Sequence, residues 1–399
     1  MAALAATASF AQNAITIYGN VDQGLYRSTD NGVSTTKIAS NINSTSTLGF
    51  RGTEDLGGGL TAGFHLLSEL SLPEGQMGSS TSGDAAASGQ KPNIFTRAAN
   101  ITLSSNQIGS FEIGRIQDAV WLTQGAFSNT GSNSFGWSAL TAQQTNTGSL
   151  ATLGFGKAAA DNAFSGTTSG ATTCTVAAAS ATNVNCLGAA NNSQSGSAPI
   201  NFNAGWGFKT IAVSGFQLTY QHVGNQMQSP APTASTAGGQ GSALRLEYTN
   251  GPLNLQYAQT SRQDATDQLG LKYKVMGATY QMGAAKLVGA QSKLTTGNGF
   301  INIHGNTVNG FGVIYDINPM VDVAVGYTTM KDDVSGDQTK LTGLTARYKF
   351  TKRTQAYAGY GHGSNGATLK TTVFYGGPTS TSLAGASTTG YLVGLRHSF

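Results

Sequence analysis

The side chains of this sequence that could do chemistry are few and scattered. No histidine has a second ligand at metal-binding spacing, and each is read as an ordinary wall or interface residue. They are His65, His222, His304, His362 and His397. The sequence contains no Gly-x-Ser-x-Gly element for a nucleophilic serine, and no paired carboxylates suited to acid/base work. We therefore expect neither an enzyme nor a metal site, and we expect no cofactor.

The two cysteines, Cys174 and Cys186, lie in a stretch rich in Ser, Ala, Thr and Asn. Two thiols alone make a poor zinc site, because structural zinc takes four ligands. In an exported protein a disulfide closing a local loop is the favoured interpretation. Two free thiols are the alternative.

Charged side chains recur on one parity of segments whose other parity is apolar. In ALRLEYT, for example, Leu244 and Leu246 alternate with Arg245 and Glu247. The charges assigned to the inner, water-facing parity are Arg245, Glu247, Lys272, Lys274, Arg347 and Lys349. A dry core would hardly tolerate so many charges. The pattern therefore favours a water-filled interior.

The elements that must position these residues are strands of about ten residues, with one apolar and one polar or small face. Sixteen are predicted: 14–27, 44–54, 60–71, 94–105, 110–117, 199–211, 215–226, 241–250, 252–262, 268–282, 284–294, 306–317, 320–331, 339–350, 354–363 and 387–399. Short turns, such as 250–252, alternate with long polar connections, such as 364–386. This alternation predicts an all-β protein: an antiparallel transmembrane barrel of sixteen strands with an aqueous lumen.

Composition agrees with a barrel. Charged residues make up only 10% of the chain, against the ~25% that is typical of soluble domains. No apolar run approaches the ~20 residues of a membrane-spanning helix. The net charge of +4 is spread along the chain, so no nucleic-acid partner is expected. Residues 1–11 look like the remnant of a secretory signal, because Ser9-Phe10-Ala11 fits its cleavage pattern, and residues 12–399 are predicted to form one barrel domain.

One segment departs from the strand pattern. Residues 118–198 are predicted to form an enlarged loop, which at that length is functional or disordered. Its four large aromatic residues are Trp121, Phe127, Phe135 and Trp137. They could form an apolar track for sugars, but packing of the loop against the barrel wall is the favoured interpretation.

Several segments resemble the trimeric general porins of Gram-negative bacteria, most closely the β-proteobacterial type. They are ITIYGNVDQGL (15–25), TLGFRGTEDLGGGLTAGFHL (47–66), FTRAANITLSSNQIGSFEIGRIQD (95–118) and GLRHSF (394–399). The resemblance implies an outer-membrane homotrimer that passes ions and small hydrophilic solutes passively, beside outer-membrane lipid and lipopolysaccharide. In that family a terminal aromatic residue such as Phe399 is part of the signal read by the barrel-assembly machinery. Subunit contacts would bury residues of the first strands, such as Ile15 and Ala98.

The resemblance also implies a constriction. In the family the third external loop folds into the barrel, opposite basic side chains on the wall. The matching positions here are Arg51, Arg97, Arg115 and Asp118. Each has an alternative: Arg51 could pair with Glu54 or Asp55, Arg97 could serve subunit contacts or bind the loop, and Arg115 shares the parity of Phe111 and Ile113.

The sequence departs from the family pattern in the charges of this constriction. Thr47 and residues 199–201 stand where the family carries arginines, and no acid occurs from 119 to 160. A thinner basic wall with almost no acidic counterpart predicts a weak preference for anions. The alternative function is a substrate-selective channel with a binding track in the long loop.

Overall fold

The structure is a computed structural model. It describes residues 14–77, 94–144, 201–223, 241–263, 269–296, 305–369, 371–374 and 384–399. Residues 1–13 and Cys174 and Cys186 lie outside these ranges, so the expectations of a signal remnant and a disulfide stay predictions.

The described residues form eighteen strands and two short helices. The strands are β1 (Ala14–Asp30), β2 (Val33–Ser40), β3 (Thr47–Gly57), β4 (Leu60–Ser71), β5 (Gln76–Met77), β6 (Ala98–Ser105), β7 (Gly109–Gln117), β8 (Asn201–Thr210), β9 (Phe216–Val223), β10 (Gly241–Asn250), β11 (Leu253–Gln263), β12 (Leu269–Met282), β13 (Ala285–Thr296), β14 (Asn306–Asn318), β15 (Val321–Asp332), β16 (Gln338–Lys349), β17 (Thr354–Ser364) and β18 (Ser387–Ser398). The helices are α1 (Ala119–Ala126) and α2 (Trp137–Thr141), both between β7 and β8.

The sheet closes on itself through an antiparallel pairing of β1 with β18. The first half of β1 pairs with β3 and the second half with β2, so β2 and β3 share one place in the wall. Among the strands that the structure describes, the two-residue β5 pairs only with the end of β4. The wall is therefore a closed barrel of 16 antiparallel strands, as the sequence predicts.

The hairpin of β1 and β2 was not predicted. The turn residues Asn31 and Gly32 have φ angles of 50° and 79°, which is the geometry of a tight hairpin turn and which an Asn-Gly pair adopts readily. The hairpin prolongs the first wall strand to Asp30, and β2 occupies residues that the prediction left as a connection.

The outward face is apolar and the inward face is mixed, as the alternation predicts. Leu218 and Tyr220 on β9 point outward and are exposed. Tyr391 and Leu395 on the last strand are exposed on the same face. The terminal Phe399 exchanges two backbone hydrogen bonds with Gly19, each 3.1 Å long.

The prediction for two inward charges was wrong. On β12 the inward side chains are Tyr273 and Val275, which are fully buried, so the alternating Lys272 and Lys274 point outward beside Met276. The parity was misread because the inner side of this strand is covered by protein. The inward face of β12 is therefore apolar, although the sequence pattern predicts that water lies there.

Short turns lie at one end of the barrel and long connections at the other. The turns around Gly57–Gly59, Gly251 and Gly283 lie at the end that holds Ala14 and Phe399. Across the ranges that the structure covers, no helix has the length and apolar character needed to cross a membrane.

Candidate functional site: the barrel lumen

The chain between β7 and β8 turns into the barrel at Asp118. The Asp118 carboxylate caps α1 by accepting a hydrogen bond of 2.7 Å from the Val120 amide. The next amide, of Ala119, donates to Gln221 Oε1 on β9 over 2.8 Å. These two bonds fix the direction in which the loop enters the lumen.

The described part of the loop, residues 118–144, packs against the inner wall. Phe127, Phe135 and Trp137 are fully buried and belong to one apolar cluster with wall residues such as Tyr273 and Met330. The indole nitrogen of Trp137 donates to the carbonyl oxygen of Gln124 over 3.0 Å. The aromatic residues therefore hold the loop to the wall, which is the favoured interpretation of their role in the sequence.

A patch of glycines on the inner wall receives the loop. It consists of Gly310, Gly312, Gly326, Gly343, Gly359 and Gly361 on β14–β17, and we call it the glycine seat. A β-carbon on Gly343 would lie 2.7 Å from Cβ of Phe135 and closer still to the Phe135 carbonyl oxygen. One on Gly310 would lie 2.8 Å from the Trp137 ring. The loop can approach the wall this closely only because these positions carry no side chain.

Polar groups lock the loop in this seat. Asn129 Nδ2 donates to Thr328 Oγ1 over 2.9 Å and to the Phe311 carbonyl oxygen over 3.0 Å, and Asn129 Oδ1 accepts from the Trp137 amide over 2.8 Å. Arg347 Nη1 donates to the Gly131 carbonyl oxygen over 2.6 Å, while its Nε contacts Asp322 at 2.5 Å. Hydrogen bonds in which one partner is charged are the stronger kind.

The middle of the described loop reaches the wall beyond β17 and β18. The amide of Asn133 donates to the carbonyl oxygen of Asn43 over 2.9 Å, and Ser134 Oγ donates to the carbonyl oxygen of Ile42 over 2.8 Å. Both acceptors lie in the segment between β2 and β3. The loop thus follows the inner wall from β9 to the β2–β3 segment, and its described end at Gln144 returns to Ser292 on β13 and Asn306 on β14.

Replacing Asn129 with alanine should loosen the loop without removing it. The change deletes the bonds to Thr328 and Phe311 and leaves the Trp137 amide without its acceptor, which costs about 1–3 kcal/mol for a buried group. We expect more open-channel current noise in planar bilayers, with the barrel still folded. Asn106, at the turn after β6, provides the control, because N106A should leave the current noise at the wild-type level. Noise in N129A that is no greater than in wild type would contradict the locking role of Asn129.

Arg51 lies on the part of the wall that the described loop leaves open. It is exposed and faces inward from β3, with its guanidinium carbon 5.0 Å from the centre of the Tyr18 ring. The Tyr18 hydroxyl contacts His65 on β4. Within the described residues Arg51 has no ion pair, so neither Glu54 nor Asp55 neutralises it.

Arg97 lies just before β6 and is buried beside the loop. Its guanidinium pairs with Glu69 at 2.9 Å and lies 5.7 Å from the centre of the Trp121 ring on α1. Asn41 Nδ2 donates to the other oxygen of Glu69 over 2.9 Å. Arg97 therefore connects the wall to the loop, and its charge is matched by Glu69.

Arg115 and Asp118 occupy supporting positions. Arg115 pairs with Ala99, on the parity shared with Ile113, and its Nε donates to the carbonyl oxygen of Thr96 over 2.8 Å. Asp118 is fully buried as the cap of α1. The structure thus places Arg51 on the open wall, Arg97 beside the loop, and neither Arg115 nor Asp118 on an exposed part of the lumen.

Sequence reasoning missed the further cations of the inner wall. Lys209, Lys286 and Arg396 also face inward. Glu112 attracts Lys209 electrostatically and Asp22 lies directly opposite Arg396, whereas Lys286, like Arg51, has no ion pair within the described residues. The inward carboxylates held in ion pairs are Glu69, Glu247, Asp316 and Asp322, and Asp22, Asp30 and Glu112 also face inward, outside these ion pairs. Residues 119–144 carry no charged side chain. Within the described residues, the lumen therefore combines two wall cations that have no ion pair, Arg51 and Lys286, with a loop segment, 119–144, that carries no charge.

The glycine seat was also missed, although the sequence holds a signal for it. Gly310 and Gly312 on β14, like Gly359 and Gly361 on β17, alternate along one face of a strand. Glycine within a strand marks a close approach of another backbone. Two strands with the same spacing could have indicated where the loop is held.

Comparisons with known proteins agree with this geometry. A profile of Gram-negative porins matches residues 1–368. Outer membrane porin protein 32 of Delftia acidovorans is 40% identical over 118 residues, and this stretch spans only 29% of the chain and 30% of that relative.

Solved structures share the fold over nearly the whole chain. An anion-selective porin from Comamonas acidovorans matches with a TM-score of 0.69 at 23% identity, covering 97% of this chain and 100% of that one. OmpF of Salmonella typhi matches with a TM-score of 0.59 at 13% identity, covering 97% and 98%.

Proposed function

The chain belongs to the Gram-negative porin family, and from this premise we propose that it forms a water-filled channel for passive diffusion of ions and small hydrophilic solutes, with a weak preference for anions. It is an outer-membrane barrel and not an enzyme. The observation that carries the proposal is that Arg51 and Lys286 face the lumen without an ion pair among the described residues, while loop residues 119–144 carry no charge. The driving force is the solute gradient, because the described lumen offers no chemistry that could consume a substrate.

The orientation follows from the lengths of the connections. In outer-membrane barrels short turns face the periplasm and long loops face outward. The end that holds Ala14 and Phe399 is then periplasmic, and the loop enters the lumen from outside. Arg51 lies toward the periplasmic end of β3, because its neighbours Glu54 and Asp55 lead into the turn at Gly57.

The anion preference rests on electrostatics across the lumen. A unit charge in water contributes about 0.5 kcal/mol at 8 Å, or about a twofold change in local ion concentration. The two inward cations without an ion pair, Arg51 and Lys286, therefore enrich anions modestly. The shared fold with a porin described as anion-selective supports the proposal.

A salt gradient across a planar bilayer tests the preference. We expect the reversal potential to have the sign of net anion permeation, and R51Q to lower the anion/cation permeability ratio by about twofold, the effect of one charge at 8 Å. R27Q is the matched control, because Arg27 is exposed and faces outward opposite Tyr391. A cation-selective wild type, or an equal change in both variants, would overturn the proposal.

The structure argues against the alternative of a substrate-selective channel. Three of the four loop aromatics, Phe127, Phe135 and Trp137, are fully buried against the wall and cannot bind a passing solute. Current that stays linear in many salts, with no saturable block by a sugar, is the result expected of a general channel.

We extend the proposal to a homotrimer. Outward residues of the first strands are apolar and strongly exposed in a single barrel, among them Ile15 (68%) and Ile101 (65%). A neighbouring barrel could cover them. Ala98, which was expected at this surface, is buried and faces inward opposite Leu67. Closure of single-channel current in three steps would support the trimer.

Assembly and lipid contacts complete the proposal. Strand β18 closes the barrel against β1, and its exposed terminal Phe399 suits recognition by the barrel-assembly machinery before closure. The outward face would contact outer-membrane lipid and lipopolysaccharide.

A further inference from the structure

Part of the long connection between β17 and β18 turns back into the barrel. Its residues 371–374 lie against the inner wall, and we call them the strap. Val373 and Phe374 are buried and belong to the apolar cluster of the lumen. A β-carbon on Gly390, which faces inward on β18, would lie 2.6 Å from the Phe374 ring and 2.7 Å from Val373 Cγ2. The strap therefore approaches the wall as closely as the loop does at the glycine seat.

The strap is also bonded to the loop of residues 118–144. The Phe135 amide donates to the carbonyl oxygen of Val373 over 2.8 Å. Gln143 bonds both backbone groups of Thr372, because its Nε2 donates to the carbonyl oxygen and its Oε1 accepts from the amide, each over 2.9 Å. The strap and the loop are thus joined through the strap backbone at two separate points.

The Phe374 ring encloses the tip of the loop at Phe135. Phe135 lies against the glycine seat, where a β-carbon on Gly359 would be 2.7 Å from its ring. The Phe374 ring centre lies 5.0 Å from that of Phe135 and 4.7 Å from that of Tyr26 on β1. The loop tip is therefore held between the wall on one hand and the strap on the other.

The backbone of Phe135 depends on this enclosure. Its φ angle is 65°, in the left-handed region that a bulky residue rarely adopts. Such a conformation persists only where the surrounding structure holds it, and it recurs in segments that switch between two arrangements. The strap supplies part of that support directly, since Val373 accepts the bond from the Phe135 amide. Displacement of the strap would let the loop tip relax.

Asn365, just after β17, anchors the strap to the rim of the barrel. Its Nδ2 donates to the carbonyl oxygen of Thr371 over 3.0 Å and to that of Ala386 over 2.9 Å. Its Oδ1 accepts from the hydroxyl of Thr371 over 2.6 Å and from that of Thr339 on β16 over 2.8 Å. The strap is therefore fixed at the end of the barrel that carries the long connections and extends from there to the loop tip.

We propose that the strap sets the width of the channel by keeping the loop in its seat. Phe374 is a positioning residue in this role, because it acts on passing solutes through Phe135 and the loop. When the strap leaves Gly390, the loop tip loses its cover and the backbone bond from Phe135, so the channel has a wide state besides the narrow one. The proposal rests on the channel function given above and adds a second segment that controls its width.

Single-channel recording in planar bilayers tests the proposal. F374A removes the ring pairs with Phe135 and Tyr26, and each aromatic pair shifts an equilibrium by roughly 2- to 10-fold. We expect the time spent in a wide, high-conductance state to rise by about tenfold. F374L keeps apolar bulk at the site and should recover most of the wild-type behaviour. F311A is the matched control, because it removes an exposed phenylalanine from the outward face of β14, and it should conduct as wild type does.

A second variant reaches the strap from the wall. G390A places a methyl group 2.6 Å from the Phe374 ring, so it should raise the population of the wide state while every phenylalanine is kept. Thermal unfolding of the detergent-solubilised F374A barrel should match wild type, because Phe374 lies outside the paired strands. A wild type that conducts, with no gain of the wide state in F374A or G390A, would overturn the role of the strap. A wild type that forms no channel would overturn the proposed function itself.

Discussion

The variant G343V should open the channel by driving the loop out of its seat. A β-carbon at Gly343 would overlap the Phe135 carbonyl oxygen and lie 2.7 Å from the Phe135 β-carbon, and the backbone of β16 is fixed by pairing on both sides. Overpacking of this kind typically costs about 1–3 kcal/mol and occasionally more, and here the overlap is with backbone, which cannot rotate away as a side chain could. Release of residues 127–137 widens the lumen, and we expect single-channel conductance to rise by about twofold or more, because conduction follows pore width.

A glycine on the other face of the same sheet provides the control. Gly289 faces outward on β13, and a β-carbon there would lie 3.6 Å from the Phe311 ring, an ordinary contact. The variant G289V should therefore conduct as wild type does. Unchanged conductance in G343V, with the barrel folded in detergent, would show that the loop does not limit the current.

The variant R97M should destabilise the barrel strongly. Arg97 and Glu69 are buried, with side chains 6% and 11% exposed, and their charged atoms are 2.9 Å apart. Removing one partner of a buried pair leaves an uncompensated charge, which costs about 3–5 kcal/mol. We expect a lower midpoint in thermal unfolding of the detergent-solubilised barrel.

The double variant E69Q/R97M separates the effect of the unpaired charge from the effect of lost packing. It removes both charges and keeps the oxygen that accepts from Asn41, so we expect recovery of more than half of the lost stability. R353M, on an exposed turn, should unfold like wild type. If the double variant is no more stable than R97M alone, the loss comes from the packing of Arg97 against Trp121 and not from the unpaired carboxylate.

The wall of the barrel was largely predictable because each strand has one face toward lipid and the other toward water. Leu218 and Tyr220 alternate with polar residues and face outward, and a period of two suffices to assign such faces. The same rule fails on β12, where Tyr273 and Val275 are apolar on the inside and reverse the pattern. The failure occurs where the loop covers the wall, because protein has replaced water as the neighbour.

The candidate site was only partly predictable, for a related reason. Arg51 could be assigned to the inner face from its alternation with Leu48 and Phe50. The burial of Arg97 depends on Glu69, twenty-eight positions away in the chain, and no local pattern reports such a partner. Asp118 is a helix cap whose helix exists only inside the barrel, so its role was equally hidden.

By itself the sequence determined the all-β barrel, the number of wall strands and which end carries the long connections, because these depend on local alternation and on turn residues. Only the tertiary structure decided which wall cations stay unpaired, where the loop is held and which lysines face the membrane. Those outcomes depend on contacts between strands far apart in the chain. The role of the glycine seat, for example, is decided by the packing of Phe135 against it.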